Sequence, residues 1–416
     1  MGKPSVVVVA DALTGPADAM LRLCGMPDYP YLVTLFPVGN LDGAELETRA
    51  DTMIDDVVRL LTERPVDAST IDTAPVDEPL IYEDAFAAID DYARRGWTDG
   101  LPIVPPTRGR VDALLQTTTR AADEVVVSLA TRDGLSATVE QIATNAAMAG
   151  CWPEHFPVVL AAMDTMAEPQ YNLHAHTATM AGAQQLVVVN GPIRHRLAMQ
   201  TGSGGLGPGW PANNVIGRAV RLVIRNMLRS VHGEFDRSGF SHPGRFGWCI
   251  AEDDENSPWP VLAEQGPAPV RGDATSVYAT VWQSSIINHD RRASAIIDEL
   301  ALTARTACAA NWLHHDAAFD SSFYEGRPFL FITGREHARV LSGDGFADLD
   351  DLRAALFDGL TRPDSTARPV AIATPAQIHL VYLHATGMQQ SWFFAPFQSH
   401  HMVTREIPRT TKGPRS

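Results

Sequence analysis

Hydrophobic positions change their spacing along the chain in a way that divides it into two unequal parts. Residues 5–10 are a β-branched run that predicts a buried strand, and residues 16–24 predict a short helix closed by Gly25. A second strand is expected over 31–36 and a charged amphipathic helix over 44–61. Strand, helix and strand at this spacing predict a parallel pair covered by helices. Pro65, Pro75 and Pro79, set among acidic residues, mark 65–79 as a linker between a small unit (1–64) and the remainder.

From residue 80 the apolar pattern alternates between the period of 3.6 that favours helices and short β-rich runs. Helices are expected over 83–95, 136–149, 154–167, 214–228, 294–310 and 349–360. Strands are expected over 124–129, 185–190, 276–282, 328–333, 370–374 and 378–383. The fold class is therefore α/β: a small N-terminal parallel α/β unit followed by a larger layered α/β domain over 80–404. The aromatic run from Gln389 to Phe397 reads as core packing, and the basic stretch 405–416 as a flexible tail.

Composition narrows the function classes. A chain of 416 residues is too long for one core, and 45% hydrophobic with 20% charged residues excludes a wholly disordered one. A formal charge of −16 argues against a nucleic-acid partner, because phosphates are neutralised by clustered Lys and Arg. No apolar run approaches the roughly 20 residues that span a bilayer. Four scattered cysteines, without a CxxC pair, fit reducing cytoplasm rather than a secreted disulfide framework.

Several long strings carry a family resemblance. They are Leu23-Cys-Gly-Met-Pro-Asp-Tyr-Pro30 and Phe36-Pro-Val-Gly-Asn40 in the first part. In the second they are Trp97-Thr-Asp-Gly-Leu-Pro-Ile-Val-Pro-Pro106, Ala149-Gly-Cys-Trp-Pro-Glu154, Asn190-Gly-Pro192, Gly202-Ser-Gly-Gly-Leu-Gly-Pro-Gly209, Ala212-Asn-Asn-Val-Ile-Gly-Arg-Ala219 and Ser257-Pro-Trp259. With these, the chain resembles UGSC family (seleno)proteins joined to the larger uncharacterised domain found beside them. The family's redox tetrapeptide, selenocysteine or cysteine followed by Gly-Ser-Cys, is absent; the nearest string is Cys24-Gly-Met-Pro27. The first part resembles only the later half of the family's α/β unit, so a dithiol role does not transfer.

Candidate chemistry gathers in the middle third. Gly202, Gly204 and Gly207 spell GxGxxG, but the expected strand ends at Asn190 and Pro208, Gly209 and Pro211 separate the glycines from the helix. No nucleotide is therefore expected. Gly202, Ser203, Gly204 and Gly205 still let backbone approach a ligand closely, with Asn213 capping a helix that begins at Asn214. Arg218, Arg221 and Arg225 share a face of that helix, and Arg218 is the expected partner of an anionic substrate group. Structural ion pairs are the alternative use of these arginines.

Cys151 lies at a helix junction, where a thiol can be activated as a nucleophile, with Glu154 or Asp99 as proton carriers and Cys249 as a second thiol. A buried cysteine acting as a small hydrophobe is the alternative. His174 and His176, at i and i+2, would grip one divalent metal if the segment is extended, with a third ligand from Cys151, His242, His289 or a carboxylate. Asp99 is equally suited to an Asx turn with Gly100. His314-His315-Asp316 and His400-His401 read as exposed polar clusters.

The leading expectation is an enzyme that modifies a small anionic organic substrate by thiol chemistry, cytoplasmic and homo-oligomeric. A metal-dependent lyase or hydrolase, and a non-catalytic partner subunit of a redox protein, are the alternatives.

Overall fold

The structure is a computed structural model that describes residues 5–23, 26–38, 41–62, 79–129, 135–310, 313, 325–363, 369–397 and 401–408. Strand β1 (Val8–Ala10), helix α1 (Thr14–Leu23) and strand β2 (Leu32–Thr34) open the chain, and β1 pairs with β2 in parallel as their spacing predicts. Instead of one helix over 44–61 there are two, α2 (Gly43–Asp51) and α3 (Ile54–Thr62). Asp42 and Glu45 close a reciprocal capping box at the start of α2, and the helix stops at Thr52. Neither helix buries a residue. Cys24, most of the expected linker and residues 409–416 lie outside the described residues, as do 314–316 and His400.

Helices α4 (Ala85–Arg94) and α5 (Arg108–Leu115) precede the hairpin of β3 (Val125–Ser128) and β4 (Ser136–Thr138). Next come α6 (Val139–Ala149), α7 (Phe156–Ala167), α8 (Leu173–Ala178), β5 (Gln184–Asn190), α9 (Ile193–Arg196), α10 (Pro211–Asn226), β6 (Trp248–Ala251) and β7 (Ala274–Ile287). The chain continues through α11 (Ala293–Ala310), β8 (Phe329–Gly334), α12 (Arg335–Gly343), α13 (Leu349–Thr361), β9 (Ile378–Leu383), β10 (Gln390–Pro396) and β11 (Val403–Glu406).

Seven of these strands form one mixed sheet in the order β6-β5-β7-β10-β8-β9, with β11 added on β7. The pairs β5–β6 and β8–β9 are parallel and the other pairs antiparallel. Strict alternation along the strands divides their side chains between two faces. Leu186, Val188, Ile250, Tyr278, Leu330, Ile332, Val381, Leu383 and Phe394 form one cluster drawn from β5 to β10. Their neighbours face outward into two other clusters. Val187, Val189, Cys249, Ala251, Val277 and Ala279 pack with α6, α7 and α10, whereas Phe329, Phe331, Leu380 and Phe393 pack with α11, α12 and α13.

The sheet curls until its two edges meet. Just beyond β6, the Asp253 N–H donates to the Tyr382 carbonyl of β9 at 3.0 Å. Gln265 completes the join: its Oε1 accepts from Leu380 N at 2.9 Å and its Nε2 donates to Leu380 O at 2.7 Å. Closing a sheet on itself satisfies edge groups that would otherwise template aggregation.

Three expectations change. Residues 370–374 hold an isolated bridge at Val370 rather than a strand, because Gln377 Oε1 takes the N–H groups of Ala373 and Thr374. The aromatic run 389–397 is packed as expected, but as the central strand β10. Finally, Arg405 and Glu406 are paired in β11, and the buried Ile407 donates to Asp273 O at 2.8 Å, so the ordered chain extends past residue 405.

Helix α10 meets β6 backbone to backbone. A Cβ on Gly217 would lie 2.6 Å from Trp248 N, and one on Gly247 would lie 2.3 Å from Arg218 N. In an isolated helix Gly to Ala stabilises by about 1 kcal/mol. Here the sign reverses: Gly217→Ala should lower stability by about 1–3 kcal/mol in urea unfolding, the usual cost of overpacking. An unchanged or raised midpoint would refute this contact.

Candidate functional site

The residues expected to carry chemistry are held in separate sets of contacts. Cys151 and Cys249 do lie in one region, but inside the apolar cluster shared by α6, α7 and α10. The Cys151 thiol is buried and donates to the Val215 carbonyl at 3.5 Å. Burial pushes both thiols up, away from thiolate, and at Cys249 the neighbouring Cys151 adds to the rise. Glu154 is exposed while Cys151 is buried. The low-polarity core, rather than a helix terminus, sets the state of these thiols.

Asp99 and Arg218 find each other. Arg218 Nε and Nη2 donate to the two carboxylate oxygens, each at 2.8 Å, and Nη2 also donates to Pro102 O at 2.9 Å. Arg225 donates to Gly96 O at 3.2 Å and Asn226 to Trp97 O at 3.0 Å. The polar side of α10 thus clamps the proline-rich loop. Leu101 N donates to Asp99 Oδ1 at 3.2 Å, the Asx geometry that Gly100 permits.

Helix α10 starts at Pro211 rather than Asn214, so Asn213 is no cap. Asn213 Oδ1 accepts from Gln200 N at 2.9 Å and its amide donates to Gln200 O, while Asn214 donates to Trp210 O. His174 and His176 sit on helix α8, where two positions turn roughly 200°. The imidazoles diverge, and His176 is buried edge-on between Tyr171 and Phe397 at 4.5 and 5.0 Å. This pair does not fit a metal. Among the described residues, no group of three or more His, Cys, Asp or Glu is placed to hold one.

The glycine turn instead leads to a site at the seam. Gly202 bridges His384 in parallel, and His384 N donates to Thr201 O at 2.9 Å. Ser203 Oγ accepts from Thr386 N at 3.2 Å. Trp248 Nε1 donates to Leu206 O at 3.1 Å, and Leu206 packs on the inner-face cluster. A Cβ on Gly205 would come within 2.9 Å of Gly202 O and 3.3 Å of Leu383 Cδ1. These glycines serve the close seating of the turn on the end of β9.

At that end His384, directly after β9, is half-buried. Its Nδ1 lies 3.1 Å from the Tyr382 hydroxyl and 3.5 Å from Asp253 Oδ2. Asp253 is buried and takes two further hydrogen bonds from Asn256 Nδ2, at 3.1 and 2.9 Å. Burial and then Asp253 push the Tyr382 phenol up, and Arg335 opposes them. Arg335 is exposed, and its backbone N–H donates to Ala385 O at 3.2 Å. Arginine and tyrosine thus flank a carboxylate–histidine pair. Nothing in the spacing of 253, 335, 382 and 384 signals this group; the acidic run Glu252-Asp-Asp-Glu255 is the one visible pointer.

Glu252 supports the group from below. Its Oε2 accepts from Asn190 Nδ2 and Leu262 N, each at 2.8 Å, and its Oε1 accepts from Tyr382 N at 3.1 Å. Asp254 takes the Asn190 amide at 2.9 Å and the Gly191 N–H, fixing the turn after β5.

With both halves of the molecule described, the class of protein is an α/β protein built on a curled mixed sheet. Residues 1–63, the unit from β1 to α3, match the model of the UGSC family. No curated protein matches the chain. No helix among the described residues is long and apolar enough to cross a membrane.

Burial raises the Glu252 carboxyl to about 7, against the donated hydrogen bonds that favour its anion. An acid whose folded value exceeds its unfolded one holds its proton more tightly when folded. Its contribution is therefore complete below about pH 4.5 and is lost as pH rises through 7, on the order of 3 kcal/mol in all. Glu252→Gln, which cannot ionise, should flatten the fall in urea-unfolding stability between about pH 4.5 and 7. An unaltered slope would assign that fall to other groups.

Proposed function

We propose that this chain is an enzyme that transfers a proton to or from a small anionic organic substrate, with His384 as general base and acid. The observation that carries this reading is the half-buried imidazole whose Nδ1 faces both Asp253 and the Tyr382 hydroxyl. A carboxylate and a hydroxyl at one ring nitrogen orient the ring, leaving Nε2 to exchange a proton with substrate. Among the described residues the Arg335 guanidinium makes no ion pair, and its exposed charge beside Tyr382 suits an anionic group of the substrate. Ser203 and the glycine turn form the adjoining wall.

The reading retains an enzyme acting on an anionic small molecule and moves the chemistry from thiol to imidazole. An assembly of identical chains is part of the same proposal. It is favoured by the exposed Leu35 and Phe36 beside β2, which sedimentation equilibrium can examine.

The test is to incubate purified protein with a cellular small-molecule extract and follow consumption by mass spectrometry. Turnover should fall 100-fold or more in His384→Ala, the usual weight of a proton-transfer group. Arg335→Met should act mainly by raising KM, and Cys151→Ser should leave the rate within about twofold. Full turnover in a folded His384→Ala protein would rule out this site.

A further inference from the structure

A second group of charged side chains lies between α10 and the segment 230–246, and shares no residue with the His384 site. Arg221 of α10 and Arg245 of the turn Pro243–Phe246 are each more than nine-tenths buried, and both face the buried carboxylate of Asp236. Arg245 Nη1 lies 2.6 Å from Asp236 Oδ2 and also donates to Ser238 Oγ at 2.9 Å and Ser241 Oγ at 3.4 Å. Arg221 Nη2 reaches the same carboxylate oxygen only at 3.6 Å and Ser230 Oγ at 3.4 Å. Asp236 Oδ1 is already taken by the hydroxyl and N–H of Ser238, at 2.6 and 3.1 Å.

Among the described residues, two buried guanidiniums thus share one carboxylate, which leaves one positive charge uncompensated. Several buried polar atoms here also lack a hydrogen-bond partner among the described residues: Arg221 Nη1, Arg245 Nε, and both Oε1 and Nε2 of Gln184. Gln184 begins β5 with its amide lying over Gly244, the residue before Arg245, where an added Cβ would fall 1.6 Å from Oε1. An uncompensated buried charge is among the most destabilising features a fold can carry. Arginine forks with free N–H groups are matched by a carboxylate or phosphate.

We propose that this cluster binds one small oxyanion, a carboxylate or phosphate, with Arg221 and Arg245 as its ligands and the Gln184 amide as an added donor. Burial, and then the nearby Arg245, push the Arg221 guanidinium down to about 9, the direction expected where a countercharge is wanting. The anion would join α10, β5 and the segment 230–246 from inside, so its binding should stabilise the fold by mass action.

The experiment titrates the whole protein with sodium phosphate and, separately, sodium acetate, at ionic strength held constant with sodium chloride. Thermal melting and calorimetry are the readouts. A saturable rise in Tm with one-to-one binding is expected. Response to both salts identifies a general oxyanion site, and response to phosphate alone identifies a phosphate site. Arg245→Gln should weaken binding tenfold or more. Should that variant not fold, Gln184→Glu supplies the absent negative charge from within; it should melt higher than the parent without added anion and lose the response. Arg335→Met should respond as the parent does, which separates this site from the one beside His384. The proposal is overturned if neither salt acts beyond chloride, if Gln184→Glu responds as the parent does, or if the response disappears with Arg335→Met but survives Arg245→Gln.

Discussion

Glu252 joins three pieces of chain that have no ladder between them: the end of β5 through Asn190, the turn at Leu262, and β9 through the Tyr382 N–H. The main path of the sheet ends at β6 and β9, and these ends meet where the chain leaving β6 passes β9. Backbone pairing is brief there, so side chains take over the work of a ladder. Removing a buried carboxylate with three donors would leave each donor unsatisfied, which is why the join depends on it more than its single charge suggests. Asp253 follows directly, and its position against His384 is a consequence of the same closure.

The closure also accounts for Gly202 and Gly205. Where the end of β9 needs a neighbour, the turn 202–207 lies against it and places Leu206 on the inner-face core. Gly217 answers a different need, contact with β6 across α10. Gly202 and Gly205 on one side and Gly217 on the other, which look like one ligand-binding feature in sequence, serve two separate packing contacts, and His384, the proposed proton-transfer residue, lies beside the first.

Arginines on α10 show the same division of labour. Arg218 and Arg225 turn to the loop 96–107, where Pro102, Pro105 and Pro106 lack the N–H that regular pairing needs. Arg221 turns inward to Asp236. Helical spacing placed these side chains near one another, but the partner of each was set by loops more than a hundred residues away for Arg218 and Arg225. Only Arg221 and its companion Arg245 retain the character of an anion site.

Much of the fold was legible in the chain. β-Branched runs marked β5, β8 and β9, helical periodicity marked α6, α7, α11 and α13, and the first strand–helix–strand unit paired in parallel as its spacing requires. Strand β10 was hidden because Trp392, Phe393 and Phe394 are apolar in succession, the pattern of a strand buried on both faces and equally of general core packing. The site was far less legible. His174 and His176 resembled a ligand pair only while their segment was taken as extended, and Cys151 an activated thiol only while its burial was unknown. Local sequence determines which stretches form helices and strands, because backbone preference and apolar period act over a few residues. The meeting of Asp253, Tyr382 and His384 was decided by the curling of the sheet, since the edges that touch are set by packing on both faces and not by any neighbour in the chain.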